Sequence, residues 1–403
     1  MNHKLRQLPV WLVWGSLGLI VYTYLIFPLL VVIRGLVSPK PVKKTDVNLD
    51  PNSPPGSDQL PSVSFIIAAY NEAAVIGKKL ENALTLNYPA DRLQVIVASD
   101  GSDDDTNSIV GGFDSPQIKL LALPRQGKNA TINKAVAAAE GDILVFTDAD
   151  SMLGGDSLRY LVAPFADREV GGVGGSYHYE HNGRGGEGER AYWNFDRRLK
   201  ELQSTSGNIT GTTGHIYAIR RDLFILVPPG VTDDSFISRE VIRQHQRLVW
   251  EPQAIAYGPI ADNRGEFQRK VRITTRGLNA VWVQRYLLNP FEYGFYALQL
   301  FSHKVLRRLM VIPLLLAGLT TPTLWTRGWL YKAAAFAQLG LHSLALFGYI
   351  FQEKRAHMSK LVSFPYYLDM TNIAALRALV DLLRGRNRDI WDAQRASTDS
   401  NRQ

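Results

Sequence analysis

Apolar residues along this chain fall into three patterns, each predicting a different kind of element. The first is a long unbroken run. Gln7 to Ile33 is 27 positions without a formal charge. As a helix it rises about 40 Å, against a hydrocarbon core of about 30 Å, so residues 7–35 predict a tilted membrane span. Trp11, Trp14, Tyr22 and Tyr24 are spaced to reach the interfaces, and Pro28 is expected to kink the helix. A cleaved signal peptide is a poorer reading, because the run is long and shows no small-x-small cleavage site. Two similar runs, Leu309 to Thr326 and Ala333 to Gln352, come late in the chain. Leu361 to Leu383 contains Asp369, Arg377 and Asp381, so it reads as interfacial or re-entrant. Residues 309–383 therefore predict two or three membrane segments. Phe291 to Arg308 is amphipathic, which predicts a membrane-surface helix within 289–308.

The second pattern is short apolar runs alternating with helical spacing, over 62–288. Val63 to Ala69, Leu93 to Ala98, Ile118 to Leu123 and Asp142 to Phe146 read as strands. Glu72 to Leu86, Asp104 to Phe113 and Asn129 to Glu140 read as helices between them. This alternation predicts an α/β domain with a parallel sheet and helices on both faces. The third pattern is apolar-poor. Residues 38–61 hold six prolines and read as an extended linker, and 384–403 as a polar tail.

Composition narrows this picture. The 403 residues are 46% hydrophobic and 20% charged, which excludes wholesale disorder. With no cysteine there is no disulfide framework, thiolate zinc site or thiol nucleophile. The net charge of +8 fits an anionic partner. The cations cluster at membrane boundaries: Lys40, Lys43 and Lys44; Lys304, Arg307 and Arg308; Lys354, Arg355 and Lys360. The positive-inside rule then puts the central domain in the cytoplasm, and no nucleic-acid partner is expected.

Candidate chemistry lies at the strand ends. The first strand is followed by Tyr70-Asn71-Glu72, the second by Asp100-Gly101-Ser102, and the fourth by Asp148-Ala149-Asp150. In open α/β sheets ligands bind beyond the carboxyl ends of the strands. Any one of these acids is readily explained as a helix cap, but three agreeing strand ends point to a site. Carboxylates without cysteine suit Mg2+ or Mn2+, ions that also hold phosphate oxygens. No P-loop and no G-x-G-x-x-G after the first strand is present, which disfavours P-loop NTPases and ordinary dinucleotide enzymes. Gly171-Gly172-Val173-Gly174-Gly175 reads as a strand with close backbone approach.

Together with Thr232-Asp233-Asp234, these motifs follow the order and spacing of family 2 glycosyltransferases. The chain resembles the membrane-embedded branch that includes hyaluronan, chitin-oligosaccharide and cellulose synthases. The resemblance implies a GT-A fold and a UDP-sugar donor used at the cytoplasmic face of the membrane. It implies that Tyr70, Asn71, Glu72, Asp100 and Lys128 bind the nucleotide, and that Asp148 and Asp150 handle metal (Mg2+ or Mn2+) and diphosphate. It puts Gly214 and His215, with Asp233, at the donor or acceptor sugar and makes Asp234 the general base of an inverting transfer. Asp233 reads either as a tuner of Asp234 or as a helix cap, and His215 equally as a sugar contact or a packed histidine. Processive members carry Q-x-x-R-W. Here, aligned on Arg272, Arg269 takes the Gln position and Ile273 the Trp position, so long-chain synthesis is disfavoured. Arg269 and Arg272 are candidates for the diphosphate side. Tyr192, Trp193 and Phe195, on a helix expected over Arg190 to Leu202, read as core more readily than as sugar platforms. The expected acceptor is a lipid-linked sugar, a lipid or a glycan. The alternative is a processive synthase, possible as a homo-oligomer, that extrudes its polymer.

Overall fold

The computed structural model describes residues 3–44, 60–179, 187–258, 266–351 and 359–385. Most of the Pro-rich stretch and most of the polar tail lie outside them. The chain divides into two compact units. One comprises Met1–Val37, Arg184–Leu199 and Arg264–Asn387; the other comprises Ser38–Gly183, Lys200–Asn263 and Arg388–Gln403.

The second unit is built on one eight-stranded sheet. Its strands are β1 (Val63–Ala69), β2 (Leu93–Asp100), β3 (Ile118–Leu123), β4 (Ile143–Asp148), β5 (Met152–Leu153), β6 (Val170–Tyr179), β7 (Tyr217–Arg220) and β8 (Arg247–Gly258). Their order is β3-β2-β1-β4-β7-β6-β8-β5. The first four run parallel, as the alternating pattern predicts. Beyond β4 the sheet is mixed: β6 and β8 pair in parallel, and the other pairings are antiparallel. β7 is antiparallel to both β4 and β6, and β5 is antiparallel to β8. The alternating pattern does not show this for a local reason: a two-residue strand and a four-residue strand are too short to write a periodicity into the sequence, and no helical crossover joins β4 to β5.

Strand alternation sorts the core onto two faces. Val63, Phe65, Ile67 and Ala69 share a cluster with Ile76 and Leu80 of the helix Ala73–Leu84 and with Leu158 and Leu161 of the helix Ser157–Val162. The helix Lys128–Ala137 packs on β1 and β2 through buried Ile132 and Ala135, which stand outside that cluster. β6 carries the glycine run because neighbours crowd it: a Cβ at Gly175 would meet the Ala254 carbonyl at 2.5 Å. At Gly141, before β4, an added Cβ would lie 2.5 Å from both the Ser64 nitrogen and the Val63 carbonyl carbon. The Gly141 N–H, with that of Glu140, donates to Ser64 Oγ. Gly141→Ala should therefore destabilise the unit by about 1–3 kcal/mol, read as a lower midpoint in urea with unchanged slope.

Residues 38–44, expected as linker, are extended and docked. Arg247 donates to the carbonyls of Lys40 and Pro41, and Lys44 Nζ pairs with buried Glu251 at 2.5 Å.

The first unit is helical. Its N-terminal part is a helix His3–Val21, a π-turn Tyr22–Ile26 and a helix Phe27–Val37. Pro28 has no N–H to offer the preceding turn, and the wider turn falls there. Phe295–Leu309 and Val311–Arg327 are bent by 47° at their junction. The expected single surface helix over 289–308 is instead broken at Gly294, whose φ is +55°, into Pro290–Tyr293 and Phe295–Leu300. Trp329–Ile350 and Lys360–Leu383 pack together, with His342 Nδ1 2.8 Å from Asp369 Oδ2 and the Tyr366 side chain against Gly348. Among the described residues, two helices, Gln7–Val37 and Trp329–Ile350, are long and apolar enough to cross a membrane. The bent pair makes a third if it is one span. Trp11, Leu25, Leu29 and Leu36 are exposed along the first of them, an apolar surface that fits lipid better than water.

Candidate active site

The register of β1, β2 and β4 determines where the site lies. Ala69 pairs with Ser99 and Ala68 with Asp148, so the residues that follow emerge along one edge. After β1, Asn71 takes a left-handed backbone (φ +55°), which Asn tolerates better than most residues. The turn is stitched to the end of β2. The Asn71 N–H donates to Ser102 Oγ (3.1 Å), the Asp103 N–H to Asn71 Oδ1 (3.1 Å) and the Glu72 N–H to Thr106 Oγ1 (2.8 Å). Asp104 accepts from the Ala73 N–H at 3.0 Å, capping the helix Ala73–Leu84 from a distance.

Asp100 is fully buried, and both its oxygens are engaged. Arg125 Nη1 lies 2.5 Å from Oδ2. The Gln126 N–H and Thr131 Oγ1 donate to Oδ1 at 2.8 and 3.0 Å, and the Gly127 N–H is shared between the two oxygens. Arg125 also stacks on Tyr70, its guanidinium carbon 3.4 Å from the ring centroid. Asp100, Tyr70 and Arg125 thus form one connected group. Gly101 permits it: its φ is +68°, and a Cβ there would meet the Arg125 nitrogen at 2.7 Å.

The loop held by Asp100 leads into Lys128. Its Nζ lies 2.9 Å from Asp148 Oδ1 and 3.3 Å from Asp233 Oδ2. Burial opposes ionisation of Asp148, yet Lys128 and then His215 hold its pKa down at about 2. The same carboxylates hold the Lys128 ammonium above the usual lysine range against its burial. Asp233 and Asp234 open the helix Asp233–Arg243, where the helix dipole favours negative charge. Asp233 makes no side-chain cap; it pairs with Lys128 instead. Asp234 accepts from the Ser235 N–H at 2.6 Å. Burial, and then Asp233, push its pKa up to about 6, with Lys128 pulling the other way.

On the other side of Asp148, Gly214 is a steric requirement: a Cβ there would lie 2.9 Å from Asp148 Oδ2. His215 Nδ1 is 3.7 Å from the same oxygen and 3.0 Å from Ser151 Oγ, and its ring stacks on Tyr177 at 3.7 Å. Asp150 sits two residues on, at the same turn. Among the described residues no cluster of three or more His, Cys, Asp or Glu side chains could hold a metal by itself. A hard cation held by two aspartates would need its remaining oxygens from another source, such as a bound phosphate.

The edge brings together Tyr70, Asn71, Glu72, Asp100, Lys128, Asp148, Asp150, Gly214, His215, Asp233 and Asp234. Arg269 and Arg272 lie one turn apart on the helix Glu266–Val283, in the helical unit. Tyr192, Trp193 and Phe195 fall on the helix Glu187–Thr205, but their side chains lie outside those described. Sequence reasoning missed Lys79. It sits on the buried face of Ala73–Leu84 with Ile76, Leu80 and Ala83, and burial pulls its pKa down to about 7 against Asp148 and Asp150. A lysine in an apolar helical stripe was the available signal. The roles of Arg125 and Thr131 in holding Asp100 left no such mark.

Residues 64–226 match the family model described as Glycosyl transferase family 2. The chain carries a glycosyl transferase family 2 domain. The mixed sheet with its helices is a GT-A fold. It is similar to a solved mannosyltransferase from Pyrobaculum calidifontis in complex with GDP-Man and Mn2+ (TM-score 0.68, 22% identity, 93% of this chain and 99% of that one). In sequence the domain is similar to a beta-monoglucosyldiacylglycerol synthase of Synechocystis sp. The identity is 36% over 118 residues, 28% of this chain and 25% of that protein. It is also similar to a poly-beta-1,6-N-acetyl-D-glucosamine synthase of Staphylococcus aureus. There the identity is 23% over 232 residues, 55% of this chain and 54% of that protein. The chain thus matches about a quarter to a half of the length of these curated relatives.

Proposed function

We propose that this chain is a membrane-anchored, metal-dependent, inverting hexosyltransferase. It would move a sugar from a UDP-sugar to a lipid, lipid-linked or glycan acceptor at the cytoplasmic face. The observation that carries the reading is Lys128 bridging Asp148 at the end of β4 and Asp233, the neighbour of Asp234, in a chain whose residues 64–226 match the glycosyl transferase family 2 model. Asp234 takes the proton of the acceptor hydroxyl as its oxygen bonds to the anomeric carbon. The bond from that carbon to the diphosphate breaks on the opposite face, which inverts the centre. Lys128 meets the charge that develops on the leaving diphosphate. Asp148 and Asp150 would hold Mg2+ or Mn2+, which supplies further neutralisation of the same charge. His215 and Gly214 are assigned to the sugar on the family resemblance. Arg269 and Arg272 are assigned to the diphosphate side on the family resemblance. Cytoplasmic placement rests on the lysine and arginine clusters beside the candidate spans.

A lipid acceptor is favoured by the candidate spans and by the likeness to a glucosyldiacylglycerol synthase. The processive alternative has the poly-N-acetylglucosamine synthase in its favour and Ile273, in place of the stacking Trp, against it. The test is release of nucleoside diphosphate by the detergent-purified chain. A panel of UDP- and GDP-sugars is offered with Mn2+ or Mg2+, alongside Asp150→Ala. Release from one UDP-sugar, lost in the variant and without metal, is the expected result. Release from a GDP-sugar alone would overturn the uridine assignment, and equal release without metal would overturn the role of Asp148 and Asp150. Polymer rather than single-sugar product would establish the processive reading.

A further inference from the structure

Lys79 belongs to none of the roles above, yet it is fully buried and aimed at the turn that carries both aspartates. Its Nζ donates to Thr147 Oγ1 at 2.9 Å, on one side of Asp148-Ala149-Asp150, and to the Ser151 carbonyl on the other. Its other neighbour is the Phe65 ring, 5.1 Å from Nζ. It makes no ion pair with a carboxylate among the described residues. A desolvated lysine amine without a carboxylate partner is costly to bury, so its retention needs a reason beyond packing.

The contacts around it supply one. Thr147 Oγ1, which accepts from Lys79, donates to the His215 carbonyl at 2.9 Å. Ser151 Oγ bonds His215 Nδ1 at 3.0 Å, and the Ser151 N–H closes the turn on the Asp148 carbonyl at 3.2 Å. One helical turn on, Asn82 exchanges two hydrogen bonds with the Leu153 backbone, at 2.8 and 2.9 Å. The helix Ala73–Leu84 thus grips the chain at positions 147, 151 and 153, and through Thr147 and Ser151 it also locates His215.

Resting on the transferase reading, we infer that Lys79 is a positioning residue: it clamps both ends of the Asp148–Asp150 turn and so sets the carboxylates for metal and diphosphate. This account and a purely electrostatic one make different predictions. By charge alone, removing Lys79 beside two carboxylates should tighten Mn2+ binding or leave it unchanged. Removing a clamp should weaken it.

The experiment is Mn2+ titration of the full chain in detergent, followed by the electron paramagnetic resonance signal of free Mn2+, with and without UDP or GDP. Lys79→Met keeps the length and removes donor and charge. Thr147→Val removes the acceptor and keeps the charge. Both are expected to weaken Mn2+ binding about 10–100-fold, the usual cost of losing a group that orients metal ligands. Binding in Lys79→Met as tight as wild type, or tighter, would overturn the proposal. If Lys79→Met shows no cooperative melting transition, Thr147→Val decides, and unchanged affinity there overturns it equally. Asp150→Ala separates the two levels. Should wild type and Asp150→Ala bind Mn2+ alike, the metal reading itself fails and the Lys79 role with it. Should they differ while the Lys79 and Thr147 variants match wild type, only the Lys79 role fails.

Discussion

Asp234→Asn should lower the rate of sugar transfer about 10²–10⁴-fold, the contribution of a positioned general base, and leave nucleoside diphosphate binding largely unchanged. The substitution keeps the shape and the acceptor for the Ser235 N–H and removes only the site that takes the acceptor proton. The pH dependence follows from the same group. Burial and the neighbouring Asp233 push the Asp234 pKa up to about 6. Only the ionised form can accept a proton, so kcat should rise about tenfold per pH unit below that value and level off above it. The variant should lose both the rate and this limb. A wild-type profile that is flat from about pH 5 to about pH 7, or a variant that retains turnover, would remove Asp234 from the mechanism.

The strand ends were legible in the sequence because parallel strands buried on both faces are continuous apolar runs that stop where polar chemistry begins. Val63 to Ala69, buried throughout, is the observed strand residue for residue, and so is the edge strand Ile118 to Leu123, though it is half-exposed. What failed to show was long-range polar accounting. Asp100 reads as a nucleotide-binding acid from its place at the end of the second strand, and in the structure it also holds the loop before Lys128. Four of its donors come from residues 25 to 31 positions away, a separation that no local pattern records. Asp233 is similar. Its place at the start of a helix invites a capping role, whereas Lys128 draws it into the site. Lys79 was visible as an anomaly, a charge at a core position, though not as a clamp, because Ser151 and Thr147 become its partners only once β4 lies beside β1. The antiparallel return of β7 was hidden by its four-residue length.

Lys128→Met should lower transfer about 10²–10³-fold, because the leaving diphosphate loses a preorganised cation. Its effect reaches further than the charge it removes. Lys128 bridges Asp148 and Asp233, and its charge is the larger of the two influences that oppose the upward shift of Asp234, the other being the Ser235 N–H. Without it, burial and Asp233 are opposed only by the Ser235 N–H, so the acidic limb of the kcat profile should move above its wild-type position near pH 6. A variant that had merely lost a structural contact would lower the rate without moving that limb. Stability gives an independent reading. In the folded wild type the Asp148 pKa is held near 2, below its ordinary 3.8, so the pairing contributes stability above pH 3.8 that is lost as pH falls toward 2. The gap in unfolding free energy between wild type and Lys128→Met should therefore be full at neutral pH and narrow through that acidic window. A gap that stays constant with pH would mean that Lys128 supports the fold by packing and not by charge, and would remove it from the set of groups that meet the diphosphate.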